Sequence, residues 1–500
     1  MPSLDDRFLA LPLTELADAA LSRARELGCQ HADVRVERIR QAKRAFRDGV
    51  LQTNTDGESL GLAVRVIHDG AWGFASDIIL TTDAAATLAG RAVLTAQVSR
   101  PLTLDRVELA PEPVYADATW ISDYETNPFE VSEAEKQARM VDLSERLMSA
   151  DGVSHTDASL EYVQENKFYA DLSGTTTTQQ RVRIQPEFTA VCVDERGFSS
   201  MRTLAPPAGR GWEYLTGVGW DFDTEIARLP EHLAEHVKAP SVQAGALDLV
   251  IDPSNLFLTI HESIGHATEL DRALGYEAAY AGTSFATYDQ LNTLQYGSPV
   301  MNVTGDRVVE HALSTIGYDD EGVAGQSFDL ISDGVLVGYQ LNRQMAAEKG
   351  LGRSNGCAFA DSAGHIPMQR MPNVSLQPQV GGPTTEELIS AVDDGLYVVG
   401  DKSWSIDMQR YNFQFTGQRF HRIEHGKLVG QVRDVAYQAT TTDFWGSMEA
   451  VGNEDTYLLG GAFNCGKGQP GQVAPVSHGC PSALFRQVNV LNTTAEGSQA

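Results

Sequence analysis

"GALDLVIDPSNLFLTIHESIGHATELDRAL", residues 245–274, changes character twice within a short span. The run "LDLVI" reads as a buried strand, Asp252 is placed as a helix N-cap and Pro253 as the first helical residue. Ile260, Ile264, Ala267 and Leu274 then mark a buried face at helical spacing, which puts His261, Glu262 and His266 on a helix. Those two histidines stand five apart. Paired metal-binding histidines on a regular helix stand four apart, about 40° from eclipsed, whereas a spacing of five turns them roughly 140° away from each other. A shared metal therefore requires a π-bulge, whose roughly 4.4 residues per turn bring positions five apart back into line, or a break in the helix. Gly265 tolerates backbone angles that would ease either.

Two histidines leave a tetrahedral zinc short of a protein ligand, because a hydrolytic site uses three protein ligands and a water. Glu269, three residues past His266, is one candidate. The more distinctive is Cys465 in "NCGKGQPGQ", a thiolate in a glycine-rich loop far downstream. "HLAEH", His232 to His236, has ideal four-residue spacing, yet it sits in a polar segment before a domain boundary and reads as a solvated linker helix. Cys29, Cys192 and Cys357 read as small buried hydrophobes. His478 and Cys480 share a glycine-containing turn, and their relation to the metal stays open. His311 and His365 have no partner at ligand spacing. In "YDDEGV", Asp319, Asp320 and Glu321 suit a substrate amine and a plain acidic turn equally well, and stay outside the site.

Outward from this stretch, the chain of 500 residues is long enough for two to four domains. Before it, "LTELADAALSRARELG" reads as an amphipathic helix closed by Gly28, and "GLAVRVIHDGAWGFAS" as a hairpin around Asp69 and Gly70. The pattern restarts near 131 with a helix opened by Ser132 and Glu135 as a capping box, followed by an antiparallel meander. After 244, short apolar runs separated by Gly, Asp and Asn predict mostly strands. The expectation is an α+β protein: an N-terminal α+β domain over 1–130, a helix-plus-meander domain over 131–238, and a strand-rich C-terminal domain over 244–500.

Composition narrows the function classes. Hydrophobic residues make up 42% and charged residues 21%, ordinary for a globular chain. A net charge of −29, from 67 acidic and 38 basic residues, opposes direct binding to nucleic acid or an anionic membrane. There is no apolar run long enough to span a bilayer, and the start is acidic where a secretory signal carries positive charge, so the expected address is cytoplasmic. Five cysteines without a CxxC pair do not read as a disulfide framework.

"HESIGHATELD", "YDDEGV", "RMPNVSL" and "CGKGQPGQ", in that order after "GLAVRVIHDGAWGFAS", resemble the TldD/PmbA family of zinc metallopeptidases over nearly the whole chain, on the TldD side. The resemblance implies one zinc ion per subunit, held by His261 and His266 of the HExxxH pattern and by Cys465. It implies peptide-bond hydrolysis in short or unfolded peptides, and a dimer, with a second copy or with a PmbA-like (TldE) partner that lacks HExxxH. Zinc lowers the pKa of bound water from about 16 towards 7, and Glu262, beside His261, is placed as the general base that takes its proton. Two departures stand out: "CGKGQPGQ" is about two residues longer than the family's usual loop, and "VSHGCPSALF" carries a His-Gly-Cys where a plainer polar turn is expected.

Two other readings compete. Family members have been described as modulators of DNA gyrase, so a regulatory protein-binding subunit is the alternative, although a scaffold has no chemical need for Glu262. A cysteine-peptidase reading of Cys465 lacks a partner histidine in matching context, and a zinc-bound thiolate is not a free nucleophile.

Overall fold

Four strands of unusual length carry the first half of the chain: His31–Arg47, Val50–His68, His155–Asp171 and Thr176–Asp194. They alternate side chains strictly, so each has two distinct faces. The computed structural model describes residues 2–195 and 197–494; residues 495–500 of the expected C-terminal domain lie outside the described residues. Together with Ala71–Asp77, Ala118–Ile121 and Gly197–Arg202, the four make one seven-stranded sheet, antiparallel except where Ala118–Ile121 joins Thr176–Asp194. The hairpin around Asp69 and Gly70 forms, with positive φ at both residues. Gly28 likewise takes positive φ after the Leu13–Glu26 helix.

Even-numbered positions of this sheet face helices. At one end Val34, Val36, Val64 and Val66 pack beneath helices Leu13–Glu26 and Thr82–Ser99. At the other, Ala42, Leu160, Ile184 and Phe188 pack beneath Glu133–Met148 and Phe222–Lys238. A polar seam separates the two cores: Asp5 accepts from Arg38 at 2.7 Å and Gln164 at 2.9 Å, and Asn166 donates to Gln180. The boundary drawn at residue 130 falls between the helices that cover the two ends of one continuous sheet, since His31–Arg47 pairs along its length with His155–Asp171. The Phe222–Lys238 helix, expected to be solvated, instead buries Phe222, Ile226, Leu229 and Leu233.

In the second half, strands Asp394–Ile406, Gly245–Ile251, Ala483–Asn492, Val435–Thr440 and Asn412–Glu424 pair in that order, and the last pairs back with the first, closing a barrel. Around it lie a four-stranded sheet and a two-stranded ribbon, Leu458–Lys467 with Gln472–Cys480. The α+β class with a strand-rich second half holds. Among the described residues no helix is long and apolar enough to cross a membrane.

The odd-numbered face of the N-terminal sheet meets this second half through charges. Arg65 pairs with Asp33 at 2.7 Å and with Glu321 at 3.0 Å, and Lys167 pairs with Asp320 at 2.8 Å. Asp319 accepts backbone N–H bonds from Glu321, Val323 and Ala358. The acidic run of "YDDEGV" is therefore a buried plug between the halves.

Candidate metal centre

The helix Pro253–Ile260 leaves the barrel strand Gly245–Ile251 as the sequence predicts. Asp252 caps it, accepting from the Ser254 N–H at 3.0 Å, and Tyr397 donates to the same carboxylate. Asn255 donates to Gly400 O and Thr416 O, and Tyr437 donates to Asn255 from the barrel. These bonds fix the helix before its period changes.

From His261 to Gly265 the turn is π-helical, and the His266 N–H reaches back five residues to His261 O at 3.0 Å. That is the bulge, not a break. The carbonyls released by the wider turn find side-chain partners: Tyr296 donates to Ser263 O and Gln340 to Gly265 O. Gly265 contributes differently from the expectation, because its φ lies outside the left-handed region; a Cβ there would lie 2.6 Å from Met371 Sδ. Its value is the space it leaves.

With the turn widened, the His261 and His266 rings come to 4.7 Å between centroids. Cys465 arrives from the ribbon, where the pairing shifts register between Ala462 and Cys465, and its Sγ lies 3.7 Å from His266 Nε2. One ligand atom from each of His261, His266 and Cys465 falls within 4.8 Å of the others, and all three residues are buried. Glu269 does not join them: its carboxylate accepts from His266 Nδ1 at 2.9 Å, on the other nitrogen of that ring. Lys467 and Arg272 pair with it, inside a buried cluster that also holds Asp271 and Glu277. On the other ring, His261 Nδ1 contacts His478 Nε2 at 2.7 Å, and His478 Nδ1 donates to Val374 O. Cys480, two residues on, lies apart and donates its thiol to Pro253 O.

The donor set fits a divalent ion. Each histidine has its Nδ1 engaged, leaving Nε2 for a cation, and the sulfur would supply the third protein ligand that a zinc site with an open position needs. Burial pushes the His261 pKa down, against the nearby Glu262 charge, and favours the neutral ring a metal needs. For Cys465, burial works to raise the pKa, but His266 and Arg370 outweigh it and hold it below the ordinary thiol value. Glu262 projects beside the cluster and accepts from Arg410 Nη1 at 2.5 Å. Burial raises its pKa, while His266, His261, Arg410 and a hydrogen bond from Trp404 pull it below the ordinary carboxylate value. Trp404 also lines an open cavity of about 210 Å³ with Phe257, Leu258, Leu458, Gly461 and Phe463. "HLAEH" lies elsewhere: Gln431 donates to His232 O and to Glu235, tying that helix to the barrel half.

Residues 244–492 match the family model described as PmbA/TldA metallopeptidase C-terminal domain, and residues 32–96 match PmbA/TldA metallopeptidase domain 1. The chain belongs to the TldD/PmbA metallopeptidase family. A Methanothermobacter thermautotrophicus protein named metalloprotease is 27% identical over 464 residues, covering 93% of this chain and 96% of the relative. A Saccharolobus solfataricus protein named zinc metalloprotease TldD homolog is 24% identical, covering 94% and 98%. Two solved structures share the fold: a Thermotoga maritima protein named as a proposed modulator of a DNA gyrase and TldE from Thermococcus kodakarensis. The first has a TM-score of 0.76 at 16% identity over 96% of this chain and 100% of its own, the second 0.71 at 14% over 95% and 99%. Arg410, Trp404 and His478 were invisible in the motif; the unusual His-Gly-Cys of "VSHGC" was the only signal for any of them.

Proposed function

We propose that this chain is a zinc-dependent peptidase acting on short or unfolded peptides, with His261, His266 and Cys465 holding one zinc ion and Glu262 as general base. The observation that carries the reading is the π-turn, which brings two imidazoles five residues apart to one buried thiol. Zinc bound there would polarise a peptide carbonyl and bring the pKa of water near 7. Glu262, ionised and adjacent to the cluster, takes the proton and returns it to the leaving amine. Arg410 orients that carboxylate and leaves its second oxygen for the water's proton. Among the described residues the strand Leu458–Lys467 pairs on one edge only, so its other edge can hold an extended peptide by main-chain bonds, and the adjoining cavity takes side chains.

The names of relatives support a metalloprotease, and the likeness to TldE supports assembly with a PmbA-like partner as an alternative to a homodimer. The cytoplasm is the compartment we assign. A second reading, a gyrase-modulator-like binding subunit with little peptidase activity, rests on the name of the Thermotoga maritima neighbour; a charge of −29 opposes DNA as its direct ligand. The test is chelation. Peptidase activity on an unstructured peptide mixture, alone and with a PmbA-like partner, should disappear with chelator and return with zinc. Activity indifferent to metal, or none in either assembly, removes the proposal.

A further inference from the structure

His478 lies outside the three-ligand cluster, fully buried, on the ribbon strand Gln472–Cys480. Its ring stands against His261 with centroids 4.8 Å apart, and its Cε1 lies 3.6 Å from where a Cβ on Gly265 would be. The two nitrogens of His478 face unlike partners. Nδ1 is 2.9 Å from Val374 O, which can only accept, so Nδ1 carries a proton. Nε2 is 2.7 Å from His261 Nδ1, and one of these two nitrogens must donate to the other.

Only one arrangement suits a metal ligand. Were Nε2 of His478 the donor, His261 Nδ1 would accept, and the neutral His261 ring would carry its proton on Nε2, the nitrogen needed by a cation. With His478 accepting, His261 is protonated on Nδ1 and its Nε2 lone pair is free. We propose that His478 is a positioning residue that selects the Nδ1-protonated tautomer of His261 and aims its Nε2 at the bound ion, through a relay running from Val374 O to His478 to His261. This inference rests on the reading that His261, His266 and Cys465 bind zinc.

The relay is the uncharged counterpart of the contact on the other ligand. His266 donates its Nδ1–H to the Glu269 carboxylate, which Lys467 and Arg272 flank. Among the described residues no Lys or Arg side chain pairs with His478, and the two strands around its ring are apolar at Val374 and Val476. A carboxylate there would be an unpaired buried charge, whereas an imidazole hydrogen-bonded at both nitrogens is neutral and satisfied.

Zinc affinity of the metal-stripped full-length chain, measured by competition with a chromophoric chelator, tests the assignment. His478→Leu removes the acceptor and should weaken zinc binding about 10- to 100-fold, the usual cost of losing such a partner, while His478→Gln, whose amide oxygen accepts, should stay within about threefold. In the zinc-loaded wild-type protein, ¹⁵N-histidine NMR should find His261 protonated at Nδ1. Unchanged affinity in His478→Leu, an equal loss in both variants, or a proton absent from His261 Nδ1 overturns the proposal. If His478→Leu fails to fold by circular dichroism, His478→Gln and the NMR measurement decide. Failure of the underlying reading looks different: wild-type protein would then bind no stoichiometric zinc, or bind it regardless of Cys465→Ser.

Discussion

Glu262 and Cys465 sit in one cluster but answer to different partners, and single substitutions separate their roles. Glu262→Gln keeps the shape beside Arg410 and removes the base, so zinc content should remain near that of wild type while turnover falls by about 10²- to 10⁴-fold. Cys465→Ser replaces the sulfur 3.7 Å from His266 Nε2 with a hydroxyl, and metal content after dialysis should collapse along with activity. Arg410 supplies the permanent positive charge against Glu262. In Arg410→Met the carboxylate loses a charge that lowers its pKa, so Glu262 stays protonated to higher pH and the acid limb of kcat/KM moves towards neutrality. An unmoved limb assigns that limb to another group.

At the scale of the element, the sequence narrowed the turn to two geometries, a π-bulge or a break, because helical period is local arithmetic; the choice between them was not legible. Nor was the reason for Gly265, since it depends on Met371, more than a hundred residues away and just ahead of the strand Asn373–Leu376. Backbone freedom was the sequence-level guess; occupied space is the structural cause. Gly265→Ala brings a Cβ to within 2.6 Å of Met371 Sδ, the flexible part of that side chain, so the strain should be moderate, about 1–3 kcal/mol. Thermal unfolding should register that loss, and most of it should be recovered when Gly265→Ala is made in a Met371→Ala background and compared with Met371→Ala alone. A lack of recovery would mean the new methyl group disturbs the turn itself. The ribbon contact of His478 was illegible for the same reason as Met371: it joins positions 217 apart.

For the whole molecule, strand alternation in the first half announced a sheet with one apolar face, but not what its other face would meet. The signal lay in charges at every second position, Asp33, Arg35, Glu37 and again Glu165, Lys167, inside otherwise apolar strands. Such a stripe reads as solvated when taken alone. It is buried because the acidic run Asp319 to Glu321 supplies complementary partners from the other half of the chain. Burial works to raise the Asp33 pKa, yet Arg65 and His31 more than reverse it and hold it at about 2. A carboxylate with a depressed native pKa stabilises the fold above its unfolded value, near 3.8, and that contribution is lost as pH falls through the window down to about 2. Arg65→Met would strand Asp33 and Glu321 together in the interface, at a cost of about 3–5 kcal/mol at neutral pH. Urea midpoints taken across pH should place the largest gap between wild type and variant near pH 7 and a narrowing gap below pH 4, as protonation removes the charge that Arg65 served. A gap that stays constant with pH would mean that Arg65 acts through its packing over Trp72, 4.3 Å from the ring centroid, and not through its charge.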